Sequence, residues 1–314
     1  MGKKSYSAQG KLLISGEYAV LDGALALAVP TRLGQHLEVF DHYDRQEVLY
    51  WRSLDHEGQC WFETRLALPS FDCLQTSNQD ATDRLQQLLQ AACRQNPNFS
   101  SALPGRLVQT TLDFPRNWGL GTSSTLVYTL SQWAEIDPYQ LLAETFGGSG
   151  YDLACAAAKG PILYRRLHPQ AQSQAIDFSP SFQSQLYFAY LGRKQNSREG
   201  IARYRALGSA SASMIQHITD ITQAMLEASS LRAFESLIRQ HEQLVSGNLA
   251  LIRAKDLYFE DFWGEVKSLG AWGGDFVLLT SDQPREDLKT YLESKKFTTF
   301  FSYDELILQS QPSD

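Results

Sequence analysis

The sequence predicts an α+β fold, and three observations support that expectation. Apolar or alternating runs of strand length open the chain, at residues 11–14, 24–29, 35–39 and 47–51. Long amphipathic helical patterns fill the second half, at 210–227 and 231–253. The two kinds of element do not alternate as regular βαβ units, which argues against a doubly wound parallel sheet.

Taken in order, Asp22-Gly23 is a turn signal between the first two strands. A helix is expected at about 82–93, where Leu85, Leu88, Leu89 and Ala92 recur at helical spacing. Residues 106–112 read as a strand, 126–135 as a helix, and 141–146 and 153–158 as short helical pieces around the turn Gly147-Gly-Ser-Gly150. Residues 162–165 form a further strand. The second half begins near Ser179, with a strand at 186–191, a loop at 192–197 and a helix from Arg198. A loop at 267–274, a strand at 276–280 and a helix–strand pair over 285–301 follow, and residues 309–314 read as a frayed tail. The expected division is an N-terminal domain at 1–178 and a C-terminal domain at 179–314.

Bulk properties exclude several classes. The 314 residues suffice for a sizeable core, and 43% hydrophobic with 20% charged residues is ordinary for a soluble globular protein. A formal net charge of −7 argues against a large nucleic-acid footprint. No run has the length of a membrane span, and no cleavable apolar core follows the first two lysines. The four cysteines and six histidines are dispersed without metal-ligand spacing, as expected for reduced thiols in a cytoplasmic protein with no zinc site.

Four segments bear chemistry. The most informative is Asn117-Trp-Gly-Leu-Gly-Thr-Ser-Ser-Thr125. Gly119 and Gly121 permit turns that a Cβ obstructs. Thr122, Ser123 and Ser124 fall in the first turn of the next helix, where free N–H groups and the helix dipole favour an anion. The pattern describes a phosphate cradle or, taken alone, an ordinary Gly-rich turn with a hydroxyl cap. The second segment, Gly10-Lys-Leu-Leu-Ile-Ser-Gly-Glu-Tyr-Ala-Val-Leu-Asp-Gly23, sets Lys11 before an apolar strand and Glu17-Tyr18 after a glycine turn. The third, Gly147-Gly-Ser-Gly-Tyr-Asp-Leu-Ala154, places Asp152 at the head of a small-residue helix, as a reactive acid or as a first-turn acid favoured by the dipole. The fourth, Lys267-Ser-Leu-Gly-Ala-Trp-Gly-Gly-Asp-Phe276, is a second Gly-rich loop before a strand.

In this order the segments resemble the GHMP kinases, the family of galactokinase, homoserine kinase, mevalonate kinase and phosphomevalonate kinase. Gly119-Leu-Gly-Thr-Ser-Ser124 is similar to the family's central G-L-G-S-S ATP loop, with Thr122 in place of the first serine. Residues 10–23 resemble its N-terminal motif, closest to the mevalonate and phosphomevalonate kinases, and 270–275 its C-terminal glycine motif, with Trp272 in place of a glycine. Gly150-Tyr-Asp-Leu-Ala154 resembles the signature of the bacterial GYDIA-type branch. The ending Gly-Gly-Asp275 is similar to phosphomevalonate kinases.

The resemblance implies two α+β domains with the active site in the cleft between them, and an ATP- and Mg²⁺-dependent small-molecule kinase. It implies that Gly119, Leu120, Gly121, Thr122 and Ser123, with Gly270 and Gly273, surround the ATP phosphates, and that Ser124 and Glu144 reach Mg²⁺. Asp152 takes the place of the catalytic acid and Lys11 that of its partner lysine. Glu17 and Tyr18 are candidates for shaping the acceptor pocket, with core packing as the alternative for Tyr18. Lys194 and Arg198, with Arg116, are candidates for binding an anionic acceptor, and a solvated loop is the alternative for the first two. Trp272 either stacks on a ligand or packs against the phosphate loop.

The chemistry suits these residue types. Phosphoryl transfer depends on alignment and charge neutralisation more than on covalent help from the protein. A hydroxyl acceptor must also lose a proton, which Asp152 would take, with Lys11 stabilising the emerging alkoxide. A phosphate acceptor is already anionic and calls for extra positive charge instead. The expected activity is phosphorylation of mevalonate or phosphomevalonate in isoprenoid precursor synthesis. The alternatives are a homoserine or sugar kinase, a diphosphomevalonate decarboxylase, and a nucleotide-binding regulatory protein without catalysis.

Overall fold

The computed structural model describes residues 2–41, 43, 47–167, 171–193, 197–208, 210–272 and 275–310. The chain opens with two long strands, β1 (Lys3–Ser15) and β2 (Ala26–Phe40), joined through a short 3₁₀ turn at Ala19–Asp22. The runs expected separately at 24–29 and 35–39 are therefore one strand. Polar Thr31, fully buried, and half-buried Leu33 lie where the apolar pattern lapses, and the backbone continues through them. Strands β3 (Val48–Leu54), β4 (Cys60–Ala67) and β5 (Cys73–Thr76) follow. Helix α1 (Gln79–Gln95) is capped by Asn78, whose side chain accepts from Ala81 N at 3.0 Å. Next come β6 (Leu107–Leu112), α2 (Thr122–Ala134), α3 (Pro138–Thr145), which starts with proline behind the cap Asp137, and α4 (Tyr151–Ala157).

The second half comprises β7 (Ile162–Arg165), β8 (Gln172–Ala175), β9 (Leu186–Tyr190), α5 (Ser197–Ala206), α6 (Ala212–Glu227), α7 (Leu231–Leu249), α8 (Ala254–Tyr258), β10 (Val266–Ser268), β11 (Phe276–Thr280), α9 (Arg285–Ser294), β12 (Phe300–Ser302) and α10 (Tyr303–Leu306). Ser211 and Ser230 cap α6 and α7 through their hydroxyls. Helix α7 stops at Leu249 because Ala250 turns left-handed, four residues before the expected end. The loop expected at 267–274 begins as strand: Val266, Lys267 and Ser268 pair antiparallel with Leu279, Leu278 and Val277. Polar Lys267 and Ser268 hid that strand.

Two compact units are interleaved along the chain. The first comprises Met1–Gly10, Leu33–Arg116 and Gly121–Ala157, and the second Lys11–Arg32, Asn117–Leu120 and Ala158–Asp314. The expected chain-order division at 178 is a different partition. In the first unit the strands run β5-β4-β3-β6-β2, antiparallel except for the parallel pair β3–β6. Leu85, Leu88, Leu89 and Ala92 of α1 are buried in one cluster with Leu37, Leu49, Trp51, Phe62 and Val108 of the sheet and Val127 and Leu130 of α2. Each leucine there contributes roughly 1.5–3 kcal/mol relative to exposure. That apolar stripe outweighs the weak intrinsic preference of a polar helix.

In the second unit the start of β2 pairs with β7, and β7 with β8. A separate antiparallel sheet runs β10-β11-β9-β12. One face of it packs with Leu288 and Leu292 of α9 and with Phe259 and Phe262. Helices α6 and α7 pack together, and Met214, Ile218 and Val245 form a cluster with Tyr18, Ala19, Tyr204 and Trp272.

Candidate active site

The glycine loop is tethered residue by residue before it reaches its helix. Asn117 O accepts from the Tyr190 hydroxyl at 3.1 Å. The Trp118 ring sits 5.9, 5.6 and 5.5 Å from the rings of Tyr190, Phe276 and Phe301. Leu120 is fully buried, and its carbonyl accepts from Lys11 N at 3.0 Å. Lys11 Nζ donates to Gly119 O, also at 3.0 Å. Gly119 has φ +69°, and a Cβ there would collide with the Asp275 carboxylate. Glycine is thus required twice at this position, for the backbone conformation and for the close approach of an acid. Lys11, Gly119 and Asp275, drawn from three of the four motifs, meet at one peptide of the second unit.

The first unit begins again at Gly121, which caps α2 with φ +100° and supplies no side-chain acceptor to the first turn. The leading N–H groups of that turn have no intrahelical partner, and the dipole adds positive potential. Ser124, buried, donates its hydroxyl to Gly121 O at 2.9 Å, so its oxygen lone pairs face outward from that bond. Thr125 is tied down by Gln35 Oε1 at 2.6 Å, which fixes the first turn against β2. Ser123 is exposed and Thr122 half-buried. Helix α4, with Asp152 in its first turn, packs against α2.

These groups fit an anionic ligand held by backbone N–H groups. Among the described residues no three His, Cys, Asp or Glu side chains converge as a metal cage. A Mg²⁺ ion keeps several waters and is bound through one or two protein oxygens plus substrate phosphates. The Ser124 hydroxyl suits such a site, since its proton is already committed to Gly121 O.

Other expected site residues are placed differently. Glu144 lies exposed and ion-paired with Arg94 at 3.2 Å, and it also accepts from Gln95 and Gln140. Those donors, Gln140 foremost, hold its pKa below the usual value. Its carboxylate is engaged by these surface partners rather than presented to the first turn of α2. Glu17, expected in an acceptor pocket, has no solvent exposure. Its Oε1 accepts from Lys267 Nζ at 2.5 Å, and its Oε2 lies 3.1 Å from His241 Nε2. Burial pushes the Glu17 carboxyl up, but the Lys267 ammonium and His241 outweigh it and hold the pKa below the ordinary value.

Tyr18 realises its core alternative. Its ring stacks on Tyr204, and its hydroxyl donates to Ala271 O at 2.9 Å. Burial, reinforced by the Glu17 charge, pushes its pKa up to about 12. Trp272 is buried in the same cluster as Tyr18, Ala19 and Met214, beside the N-terminal motif. Gly270 has φ +60° and open space around it. The Arg116 guanidinium lies 3.5 Å from the centre of the Trp61 ring. Lys194 and Gly273 lie outside the described residues, as does the side chain of Arg198, whose backbone is in α5.

Sequence reasoning did not find His241 and Glu242, or the role of Lys267. Glu242 is 2% exposed, accepts from Ser268 Oγ at 2.9 Å, and has Oε1 at 3.9 Å from Lys267 Nζ. The one available signal was a lysine heading a glycine motif directly after an apolar residue, which a solvated strand end explains equally well.

No protein-family model matches the chain, and no curated protein matches it by sequence. Solved structures do. Mevalonate kinase from Methanococcus jannaschii superposes with a TM-score of 0.70 at 16% identity, over 96% of this chain and 97% of that one. Phosphomevalonate kinase from Streptococcus pneumoniae, in complex with phosphomevalonate and AMPPNP, gives 0.69 at 16% identity, over 95% and 99%. Galactokinase from Lactococcus lactis, complexed with galactose, gives 0.68 at 9% identity, over 99% and 95%. The chain has the α+β fold of the two-domain GHMP kinases.

Proposed function

We infer that this chain, built on the GHMP-kinase fold, is an ATP-dependent phosphotransferase acting on a small-molecule acceptor, with mevalonate or phosphomevalonate the best-supported substrates. One observation carries the reading: the tethered glycine loop ends in an uncapped helix N-terminus whose first turn presents N–H groups and a buried serine. A non-catalytic nucleotide binder needs that loop and Lys11 on its carbonyl, but not an acid on a helix packed against α2. Fold likeness does not choose the acceptor, because TM-scores of 0.68–0.70 cover mevalonate, phosphomevalonate and galactose kinases alike. The choice of these two acceptors rests on the motif at residues 10–23, and the ending Gly-Gly-Asp275 resembles phosphomevalonate kinases in sequence.

In this reading the backbone of residues 119–123 and the first turn of α2 hold the nucleotide phosphates. Ser124 contributes a hydroxyl oxygen to Mg²⁺, which neutralises phosphate charge when bound. Asp152 accepts the proton of a hydroxyl acceptor, a contribution of about 10²–10⁴-fold. Lys11 orients the loop through Gly119 O. No helix among the described residues is long and apolar enough to cross a membrane. We place the reaction in cytoplasmic isoprenoid precursor synthesis.

The deciding experiment measures ADP release from Mg·ATP with mevalonate, phosphomevalonate, galactose or no acceptor. Turnover with mevalonate alone assigns a first-step kinase with Asp152 as base. Turnover with phosphomevalonate alone moves the weight to cationic acceptor ligands. Turnover with galactose alone overturns the pathway, and ATP binding without turnover on any acceptor overturns the enzyme.

A further inference from the structure

Three chain segments meet at the Lys267 ammonium, deep in the second unit. Glu17, from the end of the N-terminal motif, holds it at 2.5 Å, and Glu242 of α7 stands at 3.9 Å. His241 lies beside Glu17, and none of the four side chains is more than 2% exposed. The cluster is not fully satisfied. His241 Nδ1 and Glu242 Oε1 have no hydrogen-bond partner among the described residues. A buried polar atom that lacks a partner keeps its desolvation penalty.

We propose that Glu17 and Lys267 are a positioning pair for the phosphate loop, and that the proton on Glu242 decides how firmly Lys267 stays on Glu17. The proposal rests on reading residues 117–124 as a nucleotide-phosphate loop. The pair is connected to Gly119 by two routes. Lys267 leads directly into the glycine motif, whose Ala271 carbonyl is held by Tyr18, the neighbour of Glu17, and whose Asp275 lies against Gly119. At the far end of the same N-terminal motif, Lys11 grips the Gly119 carbonyl. Moving Lys267 off Glu17 loosens the turn at 16–18 and residues 269–272 together.

Glu242 is placed to cause that movement. With its proton on, it is a neutral hydrogen-bonding partner of Ser268, and the ammonium belongs to Glu17. With its proton off, two buried carboxylates compete for one ammonium. The other groups facing Glu242 do not relieve the competition. Burial lowers the pKa of His241, and Lys267 lowers it further. The neutral ring either accepts from Gly16 N at 3.2 Å or donates to Glu17, and neither adds positive charge. Arg253, a further cation that senses Glu242, is held by Asp256 through two bonds of 2.8 and 2.7 Å. Burial raises the Glu242 pKa more than Lys267 and Ser268 lower it, and it reaches about 7.

The test follows amide hydrogen exchange at Gly119 and Leu120 in the full chain at pH 6 and pH 8, for the wild type and Glu242→Gln. A protonated-carboxyl infrared band is recorded across the same range. Wild type and variant are expected to exchange alike at pH 6. At pH 8, with rates expressed as protection factors so that base-catalysed intrinsic exchange cancels, the wild type should be several-fold less protected than Glu242→Gln, as its carboxyl band disappears. Glu17→Gln, a second variant, should exchange fast at both pH values. A titrating band that persists in Glu242→Gln, equal exchange of the two proteins at pH 8, or slow exchange in Glu17→Gln overturns the proposal. None of these readouts needs an acceptor. A chain without kinase turnover would fail the functional reading and leave this one to stand or fall on exchange alone.

Discussion

Lys267 and Glu17, 250 residues apart in sequence, face each other at 2.5 Å with neither side chain exposed. Removing one partner of a buried ion pair strands the other charge, at a cost of about 3–5 kcal/mol. Lys267→Met is therefore expected to lower unfolding stability by that amount, read from urea denaturation at neutral pH. The double variant Glu17→Gln/Lys267→Met should recover most of the loss, because no uncompensated charge remains. A single-variant loss below about 1 kcal/mol would place the pair in the range of solvent-exposed bridges.

Glu242 gives stability a pH dependence of defined sign. Its folded carboxyl keeps its proton up to about 7, whereas an ordinary glutamate releases it near 4.5. The folded state binds more protons between those values, so this group makes stability fall as pH rises through the window, by roughly 3 kcal/mol in all. His241 acts in the opposite sense. Its folded pKa lies below 6.5, so its contribution is lost as pH falls beneath that value. Glu242→Gln is expected to leave stability near pH 4.5 unchanged and to raise it at pH 8. Equal urea midpoints of the two proteins at pH 8 would mean that water reaches Glu242.

Gly119 is the point where glycine is required for two separable reasons. Gly119→Ala adds a Cβ that meets the Asp275 carboxylate and puts alanine at φ +69°. The left-handed conformation alone costs alanine about 1–2 kcal/mol. We expect the single variant to lose more than this in stability and to weaken Mg·ATP binding by at least tenfold, roughly 1.4 kcal/mol. Adding Asp275→Ala should restore the collision component and leave the conformational one. Calorimetric titration with nucleotide measures both variants. Full binding by Gly119→Ala would remove the loop from the nucleotide site.

How much was legible follows from where each signal resides. The glycine loop announced itself because its chemistry is local: Gly119, Gly121 and three hydroxyl residues lie within six positions. Helix α1 was legible because its stripe has one period and one partner layer. Strand β4 was missed although its alternation is clear in the folded chain, since exposed Cys60 and polar Glu63, Thr64 and Arg65 lower its apolar content. Strand β8 has every residue exposed and offers no pattern at all. The Lys267 cluster was illegible for a different reason. A lysine and two glutamates look solvated in sequence, and only the meeting of residues 17, 241–242 and 267 makes them buried. Glu17 was accordingly expected to shape a pocket, and in the folded chain it is buried against Lys267.

Asp152 and Ser124 separate chemistry from binding most directly. Asp152 stands in the first turn of α4, which packs on α2, and Ser124 in the first turn of α2 itself. If Asp152 is the base for a hydroxyl acceptor, Asp152→Asn removes proton acceptance while preserving shape. Turnover should then fall by about 10²–10⁴-fold with little change in Mg·ATP affinity. With a phosphate acceptor no proton need be taken, and the same variant should show a far smaller loss. Ser124→Ala removes a hydroxyl oxygen and its bond to Gly121 O, so it should raise the Mg²⁺ concentration required for half-maximal turnover and leave the acceptor KM near that of the wild type. Steady-state kinetics with varied Mg²⁺ and acceptor resolves the two. Wild-type turnover in Asp152→Asn with mevalonate would strip Asp152 of its role, and an unshifted Mg²⁺ requirement in Ser124→Ala would take Ser124 out of the metal site.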